Sequence, residues 1–299
     1  MMRPEDIRGV IAAIPTPFDE ADKVDIGGLK RLTRYVLESG VHGIMTTGGT
    51  GEFPSLVREE KREVTRTVVD EVGGKVPVIA GTAACSTIET IALSKDAEEA
   101  GADAVIVTAP YYFPLPEMAL LGHYRELASA IGIPVVLYNN PLYTGNNLSR
   151  GLVGKLADTD GVIGIKQSNS DLGQFVETVR VVGERISVCT GIDSQFYASL
   201  CVGGKGIFST AAAVIPREMV QVYAHFMNQE HDKARSLHMI LQSLNRYLEY
   251  DPGYVSPCKE ALNLLGIHVG RVRKPLPDLS EPEREAIKQA LRGLGYGIS

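Results

Sequence analysis

Short apolar runs alternate with helix-like segments at a regular beat through the first three-quarters of the 299-residue chain. The runs at 9–15, 43–47, 76–81, 104–110, 133–138, 161–167, 186–191 and 206–210 read as strands, each bounded by Gly, Pro or polar residues. Helical stretches separate them, over 25–39, 57–71, 86–101, 117–130, 150–157, 172–182 and 195–201. Ser86 and Glu89 have the spacing of a capping box at the start of the third. Strands alternating with helices imply an α/β fold with a parallel sheet. Eight such units without a composition break suit a closed (β/α)8 TIM barrel. The competing open, doubly wound sheet calls for a Gly-rich dinucleotide turn after the first strand, and Pro15-Thr16-Pro17-Phe18 is not one. Beyond Pro216 the pattern is helical only, over 219–228, 232–250, 257–265 and 281–291. The first of these closes the barrel. The expected division is a barrel over 1–230 and a C-terminal three-helix extension over 231–299, packed on it.

Charge and composition narrow the function. A net charge of −6, with Lys and Arg scattered, argues against a nucleic-acid partner. No apolar run approaches the roughly 20 residues that cross a bilayer, and the first residues, Met1-Met2-Arg3-Pro4, lack the apolar stretch of a signal peptide. A cytoplasmic protein without a membrane partner is expected. Cys85, Cys189, Cys201 and Cys258 are far apart and form no CxxC or Cys/His cluster, so they read as buried or semi-buried free thiols. The six histidines show no HExxH spacing, and no metal is expected.

In a barrel the chemistry gathers at the carboxyl ends of the strands. Hydroxyls, small residues and one lysine collect there, and no Ser-His-Asp set can be assembled. Lys166 ends the apolar run Gly161-Val162-Ile163-Gly164-Ile165. Alternation puts Val162, Gly164 and Lys166 on one face, with Gly164 leaving room for the lysine stem. Burial disfavours a charged ammonium, and a neutral amine attacks a keto carbon. An ammonium paired with a carboxylate at the barrel mouth is the plain alternative. Tyr138 ends the preceding strand on a face with Pro134 and Val136, so its phenol can shuttle a proton for the same attack. Tyr111 and Tyr112 read more simply as interface residues. Gly48-Gly49-Thr50-Gly51-Glu52 is a Gly-rich loop able to cradle a small anion.

Three motifs in this order, Gly49-Thr50-Gly51-Glu52, Tyr138-Asn139-Asn140-Pro141 with Thr144-Gly145, and Gly164-Ile165-Lys166, resemble the dihydrodipicolinate synthase / N-acetylneuraminate lyase family of class I aldolases. The resemblance runs from Gly9 through the barrel. It implies a (β/α)8 barrel with three C-terminal helices, usually a homotetramer built as a dimer of tight dimers. It implies Lys166 as the Schiff-base lysine for pyruvate or another 2-oxo acid, with no cofactor beyond that covalent imine. Tyr138 resembles the proton-transfer tyrosine, and Tyr112 the tyrosine that completes a hydroxyl relay across the tight-dimer interface. Thr50, Gly51 and nearby amides resemble the carboxylate-binding element, and Gly191 and Phe208 the backbone positions lining the site. Two positions depart from the synthases. Gly49 stands where they have a threonine, which leaves the relay to a water or Thr47. Tyr143 stands where they have an arginine for the aspartate-semialdehyde carboxylate, and a phenol cannot make that bidentate bond. The loop through Phe53 resembles the keto-deoxy-glucarate dehydratase branch, and Gly-Glu-Phe-Pro the 4-hydroxy-2-oxoglutarate aldolases. The expected function is therefore a Schiff-base lyase that cleaves, condenses or dehydrates a hydroxylated 2-oxo acid, such as a 2-keto-3-deoxy sugar acid. Dihydrodipicolinate synthase is the alternative within the family, and a non-catalytic small-molecule sensor on the same barrel the alternative of another class.

Overall fold

The computed structural model describes residues 2–249 and 253–298. Eight strands form one closed parallel barrel in sequence order. They are β1 (Gly9–Ala13), β2 (Gly43–Thr46), β3 (Val78–Gly81), β4 (Ala104–Thr108), β5 (Val135–Asn139), β6 (Val162–Gln167), β7 (Ser187–Thr190) and β8 (Gly206–Ser209). Closure is made by β8 on β1, with Gly9 beside Gly206 and Ala12 beside Ser209. The expected TIM barrel is what the chain forms.

Every residue of every strand is buried. The period of two nevertheless sorts them, since alternate side chains point to opposite faces. Ile11, Ala13, Met45, Ile79, Ile106, Val136, Tyr138, Cys189 and Phe208 pack together in the interior. Val105, Val107, Val135, Leu137, Ile165 and Val188 pack outward in a shell with helix residues. The helices supply apolar stripes to that shell. Asp25 caps the first, Ile26–Glu38, by accepting from the Gly28 amide, and the buried Leu29, Leu32, Thr33 and Val36 follow helical spacing.

One departure bears on the site. The register between β5 and β6 slips, so that Val135 pairs with Val162 while Val136 pairs with Gly164. This bulge turns Ile163 into the interior and leaves Val162 in the outer shell, against the strict alternation expected from sequence. Lys166 still pairs with Tyr138, so each is the next-to-last residue of its strand and both stand at one level.

Helices His231–Glu249, Val255–Leu264 and Glu281–Gly293 follow the barrel; Tyr250, the expected end of the first, lies outside the described residues. Their Leu241, Leu248, Cys258, Leu262, Ile287 and Leu291 share one core with Val10, Ile44 and Ile207 of the strands. A buried ion pair ties the middle helix to the loop after β2: Lys259 Nζ lies 2.6 Å from Glu52 Oε1, both side chains being almost wholly buried. Glu52 Oε2 accepts from the Arg273 amide at 2.9 Å, and Lys259 donates to the Arg271 carbonyl at 2.8 Å. Cys189 and Cys258 are buried free thiols as expected, whereas Cys85 and Cys201 are exposed. Among the described residues no helix is long and apolar enough to cross a membrane.

Candidate active site

Lys166 is 5% exposed and Tyr138 7%. The lysine Nζ lies 4.3 Å from the centroid of the Tyr138 ring and 5.8 Å from that of Phe208. Room for the lysine comes from Gly191, just past the end of the neighbouring β7, where a Cβ would collide with Ser168 Oγ and Lys166 Cε. Gly164, the residue expected to make that room, instead backs onto the Ser187 carbonyl and Ile7.

Two opposed effects set the Tyr138 phenol. Burial pushes its pKa up, while the Lys166 charge, the nearby Ser168 hydroxyl and the hydrogen bond from Asn140 pull it down, and the net result lies below the ordinary tyrosine value. Asn140 Nδ2 donates to the phenol oxygen at 3.2 Å. The phenol is thus a better acid than a free tyrosine, which suits proton delivery.

A cavity of about 90 Å³ at the carboxyl ends of β5 to β8 is lined by Lys166, Tyr138, Thr50, Ser168, Gly191 and Asp193, with Thr210, Glu249 and Tyr254. A second, of about 380 Å³, is lined by Gly49, Phe53, Thr108 and Tyr111. Tyr138, Asn140, Tyr143 and Tyr254 line both and form the wall they share. Tyr143, on the short helix Pro141–Thr144, is 52% exposed. Thr50 Oγ1 lies 2.9 Å from Thr210 Oγ1.

Among the described residues, two carboxyls line the lysine's cavity. Burial raises the Asp193 pKa to about 6, against hydrogen bonds from Ser209 and the Ala211 amide and the charge of Lys166. Burial, then the Asp193 charge, raises Glu249 to about 7, although its Oε1 accepts from the Ser194 amide at 2.5 Å.

The expected residues divide. Lys166, Tyr138, Thr50, Gly191 and Tyr143 come together around one cavity, with Phe208 beneath the lysine. Gly49 faces the adjoining cavity. Gly51 serves the turn: its carbonyl accepts from Thr16 Oγ1 at 2.7 Å, and a Cβ there would press on the Thr47 backbone. Thr47 turns away, its hydroxyl donating to the Gly81 carbonyl at 3.0 Å, so it does not supply the hydroxyl that Gly49 lacks. Tyr112, at φ +86°, is 83% exposed and stacks edge-on against Phe113, outside the cavity of its own chain. The sequence puts Ser168 and Asp193 at strand ends without giving them a role, and Thr210 follows a strand end unnoticed. Sequence reasoning missed Glu249 and Tyr254, which come from the C-terminal helical segments and follow no strand. Among the described residues no group of three or more His, Cys, Asp or Glu side chains is placed to hold a metal.

The model of the dihydrodipicolinate synthetase family matches residues 6–294. A 4-hydroxy-tetrahydrodipicolinate synthase from Methanoculleus marisnigri is 38% identical over 286 residues, 95% of this chain and 98% of that protein. An uncharacterized DapA-like lyase from Halobacterium salinarum is 37% identical over 98% of this chain and 95% of its own length. Among solved structures, the Thermotoga maritima dihydrodipicolinate synthase aligns with a TM-score of 0.93 at 34% identity, covering 96% of this chain and 98% of its own. YagE from Escherichia coli K12, a prophage protein of the dihydrodipicolinic acid synthase family solved in complex with pyruvate, aligns with a TM-score of 0.93 at 31% identity over 97% and 99%.

Proposed function

Because the chain belongs to the dihydrodipicolinate synthetase family, whose members are class I lyases, we propose that Lys166 forms an imine with pyruvate or a related 2-oxo acid. The observation that carries this reading is a buried lysine at a strand end whose amine lies 4.3 Å from the ring of an acidified tyrosine. Once its ammonium has given up a proton, the amine attacks the keto carbon, and Tyr138 protonates the oxygen as it leaves as water. The iminium then draws electrons from C3, which permits carbon–carbon bond formation, its reverse, or loss of a hydroxyl. No metal or organic cofactor is needed in this scheme. Thr50 and the adjacent amides hold the substrate carboxylate, and Tyr143 borders the distal part of the substrate.

Relatives named 4-hydroxy-tetrahydrodipicolinate synthase favour condensation with aspartate semialdehyde as the second reading. Tyr143 at the arginine position favours a substrate without a second carboxylate, such as a 2-keto-3-deoxy sugar acid. Assembly as a homotetramer of tight dimers is supported by the exposed Tyr112, Phe113 and Leu142 near the site, an apolar rim that a second copy would cover. Tyr112 would then reach the partner's relay. The exposed free Cys85 and Cys201 fit a reducing cytoplasm. Residues 1–230 act as the barrel and 231–299 as an extension that finishes its rim.

Borohydride reduction in the presence of pyruvate, followed by peptide mass mapping, should place a stable adduct on Lys166. The absence of an adduct with any 2-oxo acid would sink the reading. A panel of aldehydes and keto-deoxy acids then decides the partner, with Tyr143→Arg expected to gain turnover of aspartate semialdehyde. Efficient condensation of that aldehyde by the wild type would favour the synthase.

A further inference from the structure

The loop after β2 has a hole at Gly49, and the Tyr254 side chain fills it. A Cβ at residue 49 would stand 2.5 Å from the hydroxyl of Tyr254 and, among the described residues, would otherwise meet only the Tyr254 Cζ, at 3.8 Å. Tyr254 immediately precedes the helix Val255–Leu264. The Glu52–Lys259 ion pair locks that helix to the same loop, so the two halves of the contact are held in register. Tyr254 neighbours Thr50, whose Oγ1 lies 2.9 Å from Thr210 Oγ1. The phenol borders the lysine cavity beside Tyr138.

We propose that Tyr254 is the proton relay behind Tyr138, its phenol supplying from the C-terminal segment the hydroxyl that residue 49 lacks. The inference rests on the imine chemistry proposed for Lys166. Its balance is simple. When the carbinolamine collapses, the nitrogen keeps its hydrogen and becomes a positively charged iminium. The oxygen leaves as water, taking one proton from Tyr138. Tyr138 regains a proton from Tyr254, Tyr254 from Thr50, and Thr50 from Thr210 and the water beyond. Each hydroxyl gives one proton and receives one, so no charge is stranded. Two features suit Tyr254 to this task. Burial, reinforced by the neighbouring Tyr138 and Tyr143, holds its pKa well above the ordinary tyrosine value, so it stays protonated while the more acidic Tyr138 donates. The glycine at 49 also becomes intelligible, because any side chain there would displace the phenol.

Tyr254 reaches the reacting atoms through Tyr138, so it is a positioning residue whose test must separate relay from packing. The probe is pyruvate alone, followed by the rate of borohydride-trapped adduct and by deuterium uptake into its methyl group in heavy water. Tyr254→Phe, which keeps the ring, should slow both by about tenfold or more while pyruvate affinity and the far-ultraviolet circular dichroism stay unchanged. Gly49→Ser alone should also slow them, by crowding the phenol. The double variant Gly49→Ser with Tyr254→Ala, which puts a hydroxyl into the space the ring vacates, should recover a large part of the loss. Trapping and exchange by Tyr254→Phe within twofold of wild type would overturn the relay while leaving the Lys166 imine intact. A wild type that forms no adduct at all would overturn the imine chemistry and the relay with it.

Discussion

Glu249 and Asp193 are carboxyls whose protons the fold holds into the neutral range, at about 7 and about 6. Burial is the first cause for each, and for Glu249 the second is Asp193 itself. A carboxyl with a raised native pKa favours the fold while protonated. Its contribution is therefore complete below the unfolded value of about 4.5 and is lost as pH rises through about 7. Glu249→Gln should leave the urea midpoint nearly unchanged at pH 5 and raise it at pH 8, and an equal effect at both would contradict the assignment. Residue by residue, the site was legible where a side chain ends a strand. Lys166 and Tyr138 were read from alternation and from the cost of desolvating an ammonium. The room-making glycine was misplaced, because Gly164 is on the lysine's own strand whereas Gly191 approaches it from the loop just past the next strand. Contacts between strands are set by register and tilt, which one strand's sequence does not state.

The loop after β2 and the helix Val255–Leu264 behave as one element joined by Glu52 and Lys259. Removing one member of a buried pair leaves the other charge without compensation, typically at a cost of about 3–5 kcal/mol. Lys259→Met should lower stability by that order and loosen the Gly49–Glu52 loop, so that pyruvate trapping at Lys166 also slows. Adding Glu52→Gln to Lys259→Met should restore part of the stability, as a double-mutant cycle in urea would show. The barrel elements themselves were largely legible: helices Glu117–Ala130 and Leu172–Val182 occupy the spans read from sequence. The short helical turns Pro141–Thr144 and Ala211–Val214 were not, because four residues carry no periodicity. The bulge at Ile163 escaped for a related reason. In a run where every residue is apolar and every residue is buried, nothing in the pattern marks which one is extra.

At the scale of the whole molecule, the carboxyl end of the barrel carries both the cavity and an apolar rim. Phe113 stands exposed beside Tyr112 on the segment after β4. If a second copy covers that rim, sedimentation of the wild type should show a species larger than the monomer, and Phe113→Glu should shift it toward the monomer. Pyruvate trapping should fall in parallel if Tyr112 enters the partner's relay. The position of Tyr254 has a further consequence, for biosynthesis. The loop with the hole at Gly49 leaves the ribosome early, whereas the phenol that fills it arrives some two hundred residues later. Until then the emerging barrel holds a lysine and a tyrosine without the hydroxyl behind them. A chain cut short after β8 would keep every strand and still lack that hydroxyl, so reaction with 2-oxo acids would stay slow until synthesis is nearly finished.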